Sequence, residues 1–273
     1  MSTAPILVIA ASGKIGSRIV TRLEASGTPV RAASRRTSPA FDWEDQSTWA
    51  PALAGAEVAF VAFVPDLAVK GSVEAIRAFT ETAKRTGLKH LVLLSGRGEA
   101  NALASEQVVQ ASGIGYTIIR ASWFNQNFNE GHLFGPVLEG LVALPAEDRK
   151  EPFVDVNDIA DVAVAALTDP RHAGQLYEVT GPRLLSFADV AAEINAAAGL
   201  RVRYEHMPLG EFHDLMLSIM DKPTADFLHD LCEEVFDGRN ESVSDGVQRA
   251  LGREPRDFRD YVAEMTASGV WNA

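Results

Sequence analysis

Apolar residues in this chain arrive in short runs, and polar breaks alternate with stretches of helical spacing. Ile6-Leu7-Val8-Ile9 is aliphatic on both faces, as a strand buried in a parallel sheet would be. After the break at Ser12-Gly13, residues Ile15, Ile19 and Leu23 recur at helical spacing, and Gly27 supplies a stop. The same alternation continues. Strands are predicted at Pro29–Ser34, at a short Phe41-Asp42-Trp43, and at Val58–Phe63, His90–Ser95, Tyr116–Arg120 and Gln175–Thr180. Ser72 reads as the N-cap of a helix with Val73, Ile76, Phe79, Thr80 and Ala83 on one face and Gly87 as its stop. A second helix spans Ala102 to Ala111 before Gly113, and Phe153–Asp158 reads as a strand entering a helix capped by Asn157 or Asp158. From Ser186, which caps the run Val190, Ile194, Ala197, helices dominate: near 209–220, 222–236, 243–251 and 256–267. This order predicts an α/β chain: a doubly wound, parallel-sheet Rossmann fold with a smaller, mostly helical C-terminal region. Residues 1–122 would form the core, 123–150 and 183–273 the substrate or cap region, and 151–182 a return to the core.

The first strand-turn-helix carries the first candidate chemistry. A turn joining a buried strand to a helix aims free helix N–H groups at one point, where a pyrophosphate can be held. The spacing Ala10-x-x-Gly13-x-x-Gly16 puts alanine where the dinucleotide fingerprint has its first glycine, so the turn is made with a Cβ present. Gly13 would let backbone approach phosphate and Gly16 would let helix and strand pack closely; Ala10, Ser12, Gly13, Lys14 and Ile15 are the predicted cradle. At the end of the second strand, where NAD-binding chains place an acid for the ribose, stands Ser34-Arg35-Arg36. Guanidinium forks match a phosphate, so NADP is the predicted cofactor; two solvated surface arginines are the alternative.

Composition narrows the classes. The chain has 273 residues, 47% of them hydrophobic, enough for a large core. A net charge of −12 with no basic stripe argues against direct binding of nucleic acid or an anionic membrane. Cys232 is the single cysteine, which suits a reducing cytoplasm, and His90, His132, His172, His206, His213 and His229 show no paired ligand spacing, so no metal is expected. Neither a signal peptide nor a membrane span is predicted. Trp123-Phe124-Asn125-Gln126-Asn127-Phe128 mixes aromatics with amides, as a small-molecule pocket wall would, although an aromatic helix start packed on the sheet has the same composition.

Taken together, Gly13-Lys14-Ile15-Gly16, Phe41-Asp42-Trp43-Glu44-Asp45, Leu93-Leu94-Ser95, Ser112-Gly113, Tyr116–Arg120, Trp123-Phe124 with Asn127-Phe128, and Pro152–Val156 with Asp158-Ile159-Ala160 resemble the NmrA-like branch of the atypical short-chain dehydrogenases/reductases. The chain is similar to bacterial relatives of the ergot-alkaloid reductases. The resemblance implies Trp43 beside the adenine, Ala62 and Phe63 along the middle of the cofactor, and Ser95, Gly96 and Ser122-Trp123 near the nicotinamide. It also implies Trp123, Phe124, Asn125 and Asn127 toward a small-molecule substrate, with cap residues such as Phe212 and Met216.

The departure from the superfamily lies in its acid. Tyr-x-x-x-Lys puts both side chains on one helix face, lysine lowering the tyrosine pKa. Here Tyr116, Tyr177, Tyr204 and Tyr261 are followed at that spacing by Arg120, Gly181, Pro208 and Met265. Glu106 stands in the helix where the dyad would be, Ala102 occupies the basic position, and Ser95 is the one candidate catalytic residue left. Without a proton donor, reduction of a plain ketone loses roughly 10²–10⁴ in rate. An iminium, quinone or activated enone accepts hydride without one. The expected function is therefore an NADPH-dependent reductase of such an electrophile; the alternative is an NADP(H)-binding sensor that acts through a protein partner. Monomer and homodimer both stay open.

Overall fold

The computed structural model describes residues 4–272 and divides into two compact units. The first comprises residues up to 121, residues 156–179 and residues 245–253. Its elements are β1 (Ile6–Ile9), α1 (Lys14–Ala25), β2 (Val30–Ala33), α2 (Trp49–Leu53), β3 (Val58–Val61), α3 (Ser72–Thr86), β4 (His90–Gly96), α4 (Ala100–Ala111) and β5 (Gly115–Ala121). After an excursion into the second unit through α5 (Asn127–Glu130), α6 (Phe134–Glu139), β6 (Leu141–Leu144) and β7 (Lys150–Glu151), the chain returns with α7 (Val156–Thr168) and β8 (Leu176–Val179).

The six strands lie parallel in the order β2-β1-β3-β4-β5-β8. Chain order reverses between β1 and β3, which makes the crevice outside their carboxyl ends the usual ligand position of an open α/β sheet. The inner strands β1, β3 and β4 are buried on both faces, whereas β2 and β8 at the edges are partly exposed. Leu7, Ile9, Val61, Leu91 and Leu93 share a core with Ile76, Phe79 and Val109 of α3 and α4, while the alternating Val8, Phe60, Val92 and Ile119 are fully buried too. Helices α1 and α7 pack on each other, as do α3 and α4, so the sheet is doubly wound. Each fully buried aliphatic or Phe side chain stabilises such a core by roughly 1.5–3 kcal/mol.

The second unit holds residues 122–155, 180–244 and 254–273. It adds β9 (Leu185–Ser186), α8 (Phe187–Ala198), β10 (Arg203–His206), α9 (Leu209–Ile219), α10 (Lys222–Val235) and α12 (Phe258–Ser268); between the last two, α11 (Gly246–Leu251) belongs to the sheet unit. Its core is aromatic: Phe128, Phe153, Phe187, Phe258, Tyr261 and Trp271 are buried together, and the Trp271 indole donates to the Phe128 carbonyl at 3.0 Å. Ser186 caps α8 as predicted, in a reciprocal capping box with Asp189.

Several local expectations are corrected. Phe41–Trp43 is no strand: Asp42 forms a lone bridge with Asp45, and its carbonyl accepts from the Trp49 indole at 2.7 Å, which closes a turn. Gly71, at φ +90°, is the N-cap of α3, because the Ser72 hydroxyl donates instead to the Leu67 carbonyl at 2.6 Å. Helix α7 starts at Val156, so Asn157 and Asp158 sit in its first turn, and Val154 makes only an isolated bridge to Phe124. The C-terminal region is mostly helical as expected, and within the second unit β6 pairs with β10 and β7 with β9. Among the described residues no helix is long and apolar enough to cross a membrane.

Candidate functional site

Because the sheet is parallel, the residues that follow β1, β2, β3 and β4 all emerge at one edge. The turn after β1 bends at Ala10, whose φ of +58° is the left-handed region that glycine would take without strain. Gly13 N–H then donates back to the Ala10 carbonyl at 2.9 Å. A Cβ on Gly13 would lie 3.2 Å from that oxygen, and one on Gly16 would overlap it outright. The glycines are thus needed for the close approach of α1 to the turn. Gly13 gives α1 no side-chain cap and no acid stands in its first turn. Its N-terminal amides therefore remain a suitable seat for an anion. Ser12 and Gly13 are exposed, while the Ile15 side chain is buried and can contribute only its backbone.

After β2, Ser34 anchors a tight turn: its N–H donates to Thr37 Oγ1 at 2.9 Å, and its Oγ accepts from Arg36 N–H at 3.2 Å. Arg35 and Arg36 are thereby left exposed, and among the described residues no acid pairs with either. After β3, the Ala62 carbonyl accepts from the Trp43 indole at 3.0 Å, and Trp43 lies 4.7 Å from the Phe63 ring. That pair is backed by Phe41, Trp49 and Phe79. An apolar wall thus stands at one side of the edge and two guanidinium groups lie at the end of β2. These residues fit a phosphorylated dinucleotide: amides for the pyrophosphate, forks for an additional phosphate, and a half-buried indole for the adenine.

After β4 the edge differs. Ser95 is buried and its hydroxyl donates to Glu106 Oε1 at 2.7 Å. Glu106 is gripped by Arg120 through Nε at 3.0 Å and Nη2 at 2.5 Å, and Glu178 holds Arg97 at 2.5 Å with Arg120 Nη1 at 3.6 Å. The Glu106 hydrogen bond, outweighing burial, holds the Arg120 guanidinium above its ordinary pKa. Within this network the Ser95 proton is committed to a carboxylate, and a strut across β4, α4 and β5 is the role its geometry supports. Ala102, at the basic position, is fully buried. Tyrosine offers no substitute: the hydroxyls of Tyr204 and Tyr261 donate to the Leu144 carbonyl and to Asn129, Tyr177 is bonded to His172, and burial pushes Tyr204 up to about 12.

The remaining sequence candidates lie in the second unit. Trp123 is half-buried and stacks 5.1 Å from Phe236, with Phe187 and His132 at its edges. Phe124 carries the bridge to Val154. Asn125 is fully buried with neither amide atom hydrogen-bonded, and Ser122 Oγ shares that condition. The Asn127 N–H donates to the Phe124 carbonyl at 3.1 Å. Cys232 is buried and pushed up to about 12, so it is a packed thiol. Two residues escaped the sequence reading. Asp66, beyond β3, accepts from the Ala68 N–H at 2.8 Å, and Glu99, after β4, sets its carboxyl group where a Cβ on Gly96 would lie. Their only sequence signal was position, a few residues beyond the carboxyl ends of neighbouring strands.

Known proteins of the same length and order share this frame. An uncharacterized oxidoreductase of Bacillus subtilis, YesF, is 32% identical over 98% of this chain and 97% of its own. An NAD(P)H azoreductase of Xenophilus azovorans is also 32% identical, over 96% and 98%. Agroclavine dehydrogenase of Claviceps fusiformis is 28% identical over 97% and 98%. The NADPH-dependent quinone oxidoreductase of Escherichia coli, solved with NADPH, superposes with a TM-score of 0.81 at 20% identity, covering 95% of this chain and 99% of that one. The NmrA-like family profile matches residues 2–262, and the chain belongs to the NmrA-like family.

Proposed function

We propose that the protein is an NADPH-dependent reductase of a small electrophile that is already activated, such as an iminium, a quinone or an enone. The observation that carries this reading is the contrast along one sheet edge: an anion seat at α1 and two exposed arginines after β2, with no Tyr-x-x-x-Lys dyad and a Ser95 locked to Glu106 after β4. Bound NADPH would supply the hydride. The chain's part is to seat the pyrophosphate on Ser12–Ile15, the additional phosphate on Ser34-Arg35-Arg36, and the rings along Trp43, Ala62, Phe63, Gly96 and Ser122. Trp123, Phe124, Asn125 and Asn127 are proposed for the substrate. The similar proteins support the class, since their names include an azoreductase, a quinone oxidoreductase and an agroclavine dehydrogenase.

The test is NADPH oxidation against a panel of quinones, cyclic iminium ions, enones and plain ketones. Activated compounds should turn over and plain ketones should not, and Ser95→Ala should cost under about tenfold, against roughly 10²–10⁴ for loss of a proton donor. Rapid reduction of a plain ketone that depends strictly on Ser95 would contradict this reading. If NADPH binds and no electrophile is reduced, the sensor acting through a protein partner replaces it.

A further inference from the structure

Four tryptophans stand in this chain, and three of their indole N–H groups are committed to backbone carbonyls: Trp43 to Ala62 at 3.0 Å, Trp49 to Asp42 at 2.7 Å and Trp271 to Phe128 at 3.0 Å. Trp123 is the exception. Its N–H meets no acceptor among the described residues, and the atom is not one of the polar groups shut away from solvent. The ring itself is held firmly. Phe236, just past α10, stacks on it at 5.1 Å and 28°, and Phe187, at the head of α8, meets it edge-on at 5.6 Å. Its backbone is fixed too, since the Trp123 carbonyl accepts from the Val154 N–H at 2.8 Å. The neighbouring Ser122 Oγ and both amide atoms of Asn125 also lack hydrogen-bond partners, although buried polar atoms in a folded chain are nearly always paired. Residues 122–125 thus carry hydrogen-bonding capacity that the fold does not use.

We propose that the Trp123 N–H determines the specificity of the substrate site by donating to a carbonyl oxygen of the electrophile, so that the site recognises a quinone or an enone and not an iminium ion. The inference rests on the proposed reductase reading and narrows it. A carbonyl oxygen offers lone pairs to a donor held in place, whereas an N-alkylated iminium nitrogen has none to offer. An indole nitrogen is a donor only, and it holds the oxygen without giving up its proton. That suits a site with no Tyr-x-x-x-Lys dyad. A quinone gains hydride from NADPH, becomes a hydroquinone monoanion and takes its proton from water, while the indole keeps its own. Phe236 and Phe187 fix the plane of the ring, and with it the direction from which the carbonyl must approach.

The experiment removes the N–H in two ways, by Trp123→Phe and by Trp123→3-benzothienylalanine, which keeps the two-ring shape and puts sulfur in place of the nitrogen. Both variants are first checked for NADPH binding by calorimetry. Toward 1,4-naphthoquinone each should lose roughly tenfold in kcat/KM, mainly through KM, the worth of one hydrogen bond. Toward N-methyl-3,4-dihydroisoquinolinium the benzothienyl variant should stay within about twofold of the unaltered protein. With isotope-labelled indoles and NADP+ present, naphthoquinone should move downfield the indole proton signal that Trp123→Phe removes, and the iminium should not. Equal losses on the two electrophiles in the benzothienyl variant, or no loss on either, overturn the donor role and leave the reductase reading intact. If NADPH binds and the unaltered protein turns over neither electrophile, the reductase reading falls and the indole signal decides the donor: a downfield shift with naphthoquinone upholds carbonyl recognition at Trp123, and an unmoved signal overturns it.

Discussion

The two units of this protein bury their residues by different means. In the sheet unit the core under the strands is mostly aliphatic, with one aromatic cluster of Phe41, Trp49 and Phe79, and the candidate residues are placed by backbone: each follows a strand whose direction is fixed by parallel pairing, so strand order gathers them at one edge. In the second unit the core is aromatic, and Trp123, Phe128, Phe187, Phe236 and Tyr261 are placed by ring packing and single hydrogen bonds. Position in the first unit is a property of topology. In the second it is a property of side-chain shape, which is why the two should respond differently to substitution.

The largest effect should come where the backbone makes the site. Gly13→Val should reduce NADPH affinity by more than about a thousandfold, roughly 4 kcal/mol, because its Cβ crowds Ala10 and its branches enter the space where phosphate meets backbone, while the protein still folds. Calorimetry with a melting curve checks both halves, and normal NADPH binding would remove the turn from the site.

Removing a ring from the second unit should be the greatest cost to stability. Phe128→Ala should lower unfolding free energy by about 3–5 kcal/mol, since the ring is buried against Phe153, Phe187 and Phe258. A loss below about 1 kcal/mol in chemical denaturation would show that this core collapses around the gap and is not placed by shape.

Charge gives a smaller, pH-dependent contrast. The Arg183 guanidinium, bonded to Asp257 at 2.6 Å and to Glu193 at 2.7 Å, holds the Asp257 carboxyl below its ordinary 3.8. The folded pKa is depressed, so this stability is present above about 3.8 and is lost as pH falls toward the folded value. Asp257 also caps α12, a duty that asparagine performs as well. The stability advantage of the unaltered protein over Asp257→Asn should therefore be present at neutral pH and shrink as pH falls below about 3.8. An advantage that stays undiminished there, in denaturation series at neutral and low pH, would mean the ion pair is not its source.

The smallest effect has the opposite sign. Ala10→Gly should stabilise the sheet unit by about 1 kcal/mol by relieving the left-handed alanine at φ +58°, with NADPH binding kept. A loss of stability on thermal unfolding would show that the strain is offset by contacts of the Ala10 methyl.

These differences also explain what could be read from the sequence. The strands of the sheet were legible because a strand buried on both faces leaves a continuous apolar run, as at Ile6–Ile9 and Leu91–Leu94. The edge residues followed from where those runs end. Phe41–Trp43 misled because aromatic side chains that pack on Phe63 and Phe79 look like a strand face, whereas Asp42 and Asp45 close a turn there. The pair β6 and β10 left little signal, being four residues each with exposed Leu141, Arg203, Glu205 and His206. The Ser95–Glu106–Arg120 grip was illegible for another reason. It joins residues 11 and 14 positions apart through side-chain geometry, which no periodicity records.

The central claim is that the edge built by β1 and β2 is an NADPH seat. Calorimetric titration of the protein with NADPH and NADH, repeated on Arg35→Ala, tests it most directly. NADPH should bind the unaltered protein more tightly than NADH, and Arg35→Ala should weaken NADPH alone by about 1.5–3 kcal/mol, the worth of a charge-assisted hydrogen bond. Equal affinity for the two cofactors in the unaltered protein would contradict the account.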